Sequence, residues 1–135
     1  MPRSTVWPRV SVVDVCESIV DCVNKTATVV DYPTPYKMIR TTNVRDGWVD
    51  LSSVRCVDEV TFAKWTRRQR PGRGDVILTR EAPLGEVGLL RSDESVFLGQ
   101  RLVAYRADPR KLDNRFLLYA MLGEDMQGQI RSMGS

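Results

Sequence analysis

Residues 64–90 read KWTRRQRPGRGDVILTREAPLGEVGLL, and two kinds of structure meet inside them. The first part is a basic run of Lys64, Arg67, Arg68, Arg70 and Arg73, interrupted by Trp65 and closed by Pro71, Gly72 and Gly74. The second opens on a turn signal, Gly74-Asp75, and continues through Val76, Ile77 and Leu78 to Thr79-Arg80-Glu81. A further glycine-bounded apolar run at 85–90 follows, so the stretch predicts a loop entering a strand pair. Five cations within ten residues, on a loop mounted on β-rich scaffolding, suggest a nucleic-acid contact surface. The plainer alternative is a solvated charged loop beside a hairpin.

Working outward, 135 residues suffice for one domain with a real core and are too few for two ordinary ones. Hydrophobic content of 42% and charged content of 27% are globular values. The net charge is only +3, whereas residues 64–80 carry six cations against one anion, Asp75. The rest of the chain is therefore slightly acidic, and charge is segregated. No apolar run approaches the roughly 18 to 20 residues of a membrane span. The opening MPRSTVWPRVSVVDV lacks the continuous apolar segment of a signal peptide. Cys16, Cys22 and Cys56 are odd in number and lack metal-ligand spacing, which fits structural thiols in a reducing cytoplasm. Histidine is absent, which removes Ser-His-Asp and Cys-His nucleophiles and His-containing zinc sites.

The remaining pattern predicts short elements. Residues 7–19 read as an entry strand and then a helical turn capped by Asp14, with Val15 and Ile19 facing inward. A polar loop at 21–28 leads to a brief extended run at 28–32, stopped by Pro33-Thr34-Pro35. Residues 36–44 alternate as a strand that Ile39 interrupts, and Asp46-Gly47 predicts a tight turn into a returning strand at Trp48-Val49. After an extended piece at 54–57, residues 58–65 predict a helix with Asp58 and Glu59 at its start. The run at 96–105, VFLGQRLVAY, reads as one strand whose glycine marks a bulge or a close backbone approach. Asp113 caps a helix over 114–122, with Phe116, Leu117, Ala120 and Met121 on one face and Gly123 as its stop. Helical spacing resumes over 124–133, so the C-terminus predicts a helical hairpin whose apolar face is Phe116, Met121, Met126, Ile130 and Met133. That face is expected to be mostly core, the rest serving to dock a partner. The chain stops barely after this hairpin, which suggests that something continues beyond it.

Motifs for catalysis are missing. There is no GxxxxGK[ST], no GxGxxG, no glycine-rich S-adenosylmethionine loop and no Asn/Asp-Pro-Pro-aromatic segment. Gly85 and Gly88 form a GxxG inside strand-like sequence, which reads as structural. Arg73-Gly74-Asp75 reads as a turn with a basic neighbour rather than an adhesion signal. Arginine-rich loops suit DNA because guanidinium groups neutralise phosphates and can pair bidentately with guanine, while Asn43 and Gln69 could do the same for adenine. Arg40, Thr41, Thr42, Asn43 and Arg45 make a second polar cluster, which would join the basic loop if the two lie side by side.

The order RTTNV, GWVD, RPGRGDVILT, GEVGLL, FLGQRLVAYR, DNRFLLYAML and QIRSMGS resembles the target-recognition domain of a type I restriction–modification specificity (S) subunit. Trp7-Pro8 with Val10, then Asp14-Val15-Cys16, also fits the start of such domains. The family's Gly-x-Thr/Ser-Pro signature is replaced here by DCVNKTA, so Asn24 and Lys25 are not counted as site residues. The resemblance implies an α+β fold: a small twisted β-rich body over 1–112 and a C-terminal helical hairpin over 113–135, one domain overall. It also implies a non-catalytic reader of one half of a bipartite double-stranded DNA site that positions a separate adenine methyltransferase subunit. A restriction/translocase subunit and a second half-subunit would join through the complex. S-adenosylmethionine, Mg²⁺ and ATP belong to those partners, so no cofactor is expected on this chain.

The expected DNA-binding residues are Arg67, Arg68, Arg70 and Arg73, followed by Arg40, Asn43, Arg45 and Arg80. Two alternatives stand beside this reading. One is a carboxylate- or metal-dependent DNA hydrolase using Asp75 or Glu81 near Arg80, and the other is a protein-interaction module with an incidental basic loop.

Overall fold

The computed structural model describes residues 11–23, 25–81 and 83–134, with side chains given through Ser132. The predicted entry strand at its Trp7 end, Asn24 and the Met133 side chain lie outside the described residues. The helical turn α1 (Val12–Val15) is capped by Ser11, whose Oγ accepts from the Val13 amide, so Asp14 lies inside the turn instead of capping it. Strand β1 (Cys16–Asp21) begins immediately and carries Ile19.

The expected 36–44 strand is shorter than its alternation implied. It runs as β2 (Tyr36–Ile39), and a 3-10 turn over Thr41–Asn43 separates it from β3 (Val44–Arg45). The Asn43 side chain accepts from the Arg40 amide at 2.8 Å, a local bond that competes with strand continuation. Asp46-Gly47 makes the predicted turn: both residues have positive φ, +50° and +85°, and β3 pairs with β4 (Gly47–Val49) across them.

Further along come β5 (Arg55–Val57), α2 (Glu59–Trp65), β6 (Val76–Arg80) and β7 (Leu84–Leu89). The 96–105 run, expected as one strand, is two: β8 (Ser95–Leu98) and β9 (Leu102–Ala107), and they belong to different sheets. β8 lies parallel to β2 in the three-stranded sheet β5-β2-β8, whereas β9 sits between β1 and β6 in the six-stranded sheet β1-β9-β6-β7-β4-β3. Gly99 starts the crossing, and the expected close approach is there. A Cβ at this position would stand 2.7 Å from the Ile39 carbonyl oxygen, which accepts the Gly99 amide at 2.8 Å.

Three apolar layers hold these elements together. Ile39, Val44, Ile77, Val96, Leu98, Leu102 and Ala104 pack between the two sheets. Val76, Leu78, Val87, Leu89 and Ala107 face helix α3 (Asn114–Leu122), which contributes Leu117, Leu118 and Met121. Phe97, on the other side of β8 from Val96 and Leu98, packs with Phe62 of α2. The order of layers is therefore α3 with α4 (Glu124–Gly134), six-stranded sheet, three-stranded sheet, α2.

Strand β6 is covered on both faces, which is why Val76, Ile77 and Leu78 read as an unbroken apolar run. Each such fully buried aliphatic side chain contributes about 1.5–3 kcal/mol. Gly88 is required where β4 lies parallel to β7, since a Cβ there would meet the Trp48 carbonyl oxygen at 2.3 Å.

The helical pair is present, and Asp113 caps α3 by accepting from the Arg115 amide. The buried face differs from the predicted one. Leu118 points inward, while Phe116 is 64% exposed and Ala120 is also on the outside. Met126 and Ile130 of α4 pack against the same layer as α3. All three cysteines are free and half-buried, and burial pushes the Cys16 thiol above its ordinary pKa.

Candidate nucleic-acid interface

The basic loop leaves the end of α2. Asp58 caps that helix by accepting from the Thr61 amide at 2.8 Å, and its inward face is Phe62, which packs 4.9 Å from Tyr36 and edge-on to Phe97. The last turn closes when the Thr66 amide and hydroxyl both donate to the Phe62 carbonyl. Lys64 lies in that last turn, where the helix dipole favours a cation. Trp65 stacks edge-on to Phe97 at 6.5 Å, so the start of the loop is anchored through the core of the small sheet.

The far end of the loop is tied down by ion pairs. Asp75 is 1% exposed, and both its oxygens are engaged by Arg106 of β9, at 2.8 and 2.9 Å. The Gly72 amide donates to the same carboxylate, and Arg106 Nη2 also donates to the Arg70 carbonyl. The hydrogen bonds to Asp75 hold the Arg106 guanidinium above its usual pKa, against the opposing effect of burial. Asp75, considered as a hydrolytic carboxylate, is therefore committed to holding the loop. Glu81, the other acid considered, pairs with Arg101 at 3.2 Å.

Two of the predicted arginines share this constraint. Arg73 forms a two-pronged pair with Asp93, at 3.0 and 2.9 Å, and donates to the Arg91 carbonyl. The Arg73 hydrogen bonds hold the Asp93 carboxyl below its ordinary pKa. Arg70 donates to the Ser95 hydroxyl at 2.7 Å and lies over the Phe62 ring at 5.4 Å. Gln69 accepts from the Ser18 hydroxyl of β1, which fixes the middle of the loop.

Arg67 and Arg68 are different. Both are exposed, and among the described residues neither has a hydrogen-bond or ion-pair partner. With Lys64 they line a shallow cleft whose other wall is Val20 to Val23, the end of β1 and the two residues after it. Trp65 belongs to this cleft and to a second one beside it. The second is lined by Lys25, Thr26, Arg40, Thr41, Gln100 and Arg101, among others. Arg40 and the basic loop thus share one surface, through Trp65.

The other second-rank residues divide. Arg80 reaches the same end of the six-stranded sheet, where it pairs with Asp21 at 2.7 Å. Arg45 sits on β3, at the opposite edge of the large sheet from β1, and its Nη1 donates to the carbonyls of Val44 at 2.9 Å and of Thr41 at 3.5 Å, the latter a wall of the Arg40 cleft. Asn43 is 3% exposed, and its side-chain oxygen is taken by the Arg40 amide, so the structure withdraws it from any surface.

Three residues at this surface were not counted from the sequence. Lys25 lies in a segment that departs from the expected signature. Gln100 and Arg101 lay inside a run read as one strand. Their signal was a glycine followed by two polar residues between apolar runs, which is also the pattern of a turn. Gln100 donates to the Thr26 hydroxyl at 2.9 Å, and Arg101 adopts φ +70°, an uncommon conformation for a non-glycine residue. Among the described residues, no group of three or more His, Cys, Asp or Glu is arranged to hold a metal ion, and no helix is long and apolar enough to cross a membrane.

No protein-family profile matches the chain, and no curated protein matches it in sequence. Solved structures do match. The HsdS subunit from Thermoanaerobacter tengcongensis aligns with a TM-score of 0.63 and 17% identity, over 88% of this chain and 27% of that one. A chain from a structural study of complex assembly and conformational transition of the type I R-M system aligns with a TM-score of 0.62 and 18% identity, over 86% of this chain. This chain also spans 27% of that second structure's chain. At such identity the likeness is one of fold. The chain has the α+β fold of part of an HsdS subunit, the architecture its motif order resembles.

Proposed function

We propose that the chain is a sequence-specific DNA target-recognition domain of the type I restriction–modification specificity kind. It reads one half of a bipartite site and positions a separate adenine methyltransferase subunit, without catalysing a reaction itself. The observation that carries this reading is the coincidence of an HsdS-like fold with one surface on which Lys25, Arg40, Lys64, Arg67 and Arg68 make no carboxylate ion pair among the described residues. Cations without an internal carboxylate partner are those able to release phosphate counterions when DNA binds.

Arg67 and Arg68 are the principal contacts in this reading, with Arg40 beside them. Arg70 and Arg73 act mainly by holding the loop, and Arg80 contributes only as far as Asp21 releases it. The β-rich body over 1–112 supplies the reading surface, and the helical pair over 113–135 faces the partner subunits. Support for the latter comes from α3, where Phe116 and Tyr119 are 64% and 67% exposed and Leu122 is 38% exposed. Exposed apolar side chains clustered on one helix suit a protein contact. The methyltransferase subunit is the first partner; a restriction/translocase subunit and a second half-subunit follow through the complex. All of this would take place on DNA in the cytoplasm.

The test is selection by the purified chain from a library of random duplexes, followed by binding at several salt concentrations. A recovered consensus, with affinity falling steeply as salt rises, is the expected result. Salt-insensitive behaviour with no sequence enrichment would sink the proposal. Nicking of the selected duplex in the presence of Mg²⁺ would replace it with the hydrolase alternative.

A further inference from the structure

The cleft at Arg40 has chemistry that base reading leaves unused. Its volume is about 220 Å³, and Lys25, Arg40 and Arg101 line it with no carboxylate among its walls. Arg40 Nε is buried and has no hydrogen-bond partner among the described residues, while Nη2 donates to the Ser53 carbonyl at 3.3 Å. An unpaired buried guanidinium N–H is costly, and such groups are uncommon in folded proteins. The rest of the guanidinium lines the cleft, and Nη2 meets only the Ser53 carbonyl among the described residues, which leaves donor capacity for an acceptor seated there.

The surrounding backbone is shaped to close this cleft. The missing Cβ of Gly99 lets the end of β8 press against Ile39, directly before Arg40. The turn that follows holds Arg101 at φ +70°, and the Arg101 carbonyl accepts the Arg80 amide at 2.8 Å. Backbone strain of this kind gathers at functional sites. Arg101 is held by Glu81 only through an exposed pair, both side chains being more than half accessible. Exposed pairs are weak enough for a bound anion to displace.

We infer that this cleft grips one backbone phosphate of the bound DNA, with Arg40 as the central donor and Lys25 and Arg101 as flanking cations. The inference rests on the DNA-binding reading above and deepens it. A phosphodiester offers two non-bridging oxygens and one negative charge, which a planar guanidinium accepts well as a forked donor. Three cations, of which only Arg101 has a carboxylate partner, in its exposed pair with Glu81, complement that charge better than they complement the neutral edge of a base. The clamp carries no sequence information. It sets the register of the duplex, so that Arg67 and Arg68 meet the groove at a constant position.

The experiment walks a single neutral methylphosphonate linkage along each strand of the selected duplex and measures binding to the wild-type chain and to Arg40→Gln. One linkage should weaken wild-type binding about tenfold, a loss of about 1.4 kcal/mol, and have no further effect on Arg40→Gln. Thermal melting establishes that the variant folds; if it does not, Lys25→Gln and Arg101→Gln, both at exposed positions, carry the same comparison. If every linkage and the Arg40 substitution simply add, the clamp is wrong while the DNA reading stands. Competition by inorganic phosphate beyond an equal ionic strength of chloride, with no sensitive linkage, would assign a free-anion site and also overturn it. A wild-type chain that selects no duplex sinks both.

Discussion

The two ends of the basic loop both carry arginines and stand in opposite situations. At residues 70–75, Arg70, Arg73 and Asp75 are bound to Ser95, Asp93 and Arg106, which hold that half against β9 and the 91–95 turn. At residues 64–68, Lys64, Arg67 and Arg68 make no ion pair among the described residues. Counting cations along the chain gives three in one half and two in the other, which says nothing of their partners. Their partners make one half a support and the other a surface. Charge available to a ligand is what remains after internal ion pairs have been subtracted.

The strongest way to break this contrast is to untie the tied end. Arg106→Met leaves the Asp75 carboxylate buried without its partner and should cost about 3–5 kcal/mol of stability, read by urea denaturation. A drop well below 1 kcal/mol would show that the loop is not held there. The next largest effect belongs to the untied end. Arg67→Ala with Arg68→Ala should lower affinity for the selected duplex by about ten- to a hundredfold and reduce the salt slope by about two, with the melting temperature unchanged. Unchanged affinity would remove these arginines from the interface.

Arg73→Ala sharpens the comparison by a smaller margin. It should lower the melting temperature slightly and leave the salt slope close to wild type, because the lost partner is Asp93 and not a phosphate. A salt slope that falls as far as in the Arg67/Arg68 variant would erase the distinction.

The smallest effect is a dependence on acid. The Asp93 carboxyl is held low by Arg73 and that of Glu94 by Lys37, so folding has the stronger hold on their charged forms. This contribution is fully present above their ordinary values near 4 and fades as pH falls through the lower folded-state values. Melting between pH 6 and pH 2.5 should therefore show a shallower acid decline for Asp93→Asn than for wild type.

Much of the local structure was legible because its causes are local. Asp58 and Asp113 lie where their side chains reach amides two or three residues on, and both cap the predicted helices. Asp46-Gly47 turns because its backbone tolerates positive φ. The 96–105 run was misread because an apolar strand pattern does not state which sheet it serves. Val96 and Leu98 face the large sheet while Phe97 faces α2, and after Gly99 the chain passes into the large sheet itself. The outer face of α3 was misassigned for a related reason: Phe116 and Leu118 are both apolar, and only the sheet beneath α3 selects between them.

Short capped helices, turn-bounded strands, a concentrated basic loop and a motif order that resembles one family all follow from the order of residues alone. These are properties of near neighbours, set by backbone conformation and side-chain reach. Tertiary structure decided which cations face outward without a partner. Arg73 meets Asp93 and Arg106 meets Asp75 across 20 and 31 residues, while Arg40 joins Trp65 and Arg101 at one cleft. Coulomb attraction depends on distance in space, and no spacing along the chain supplies it.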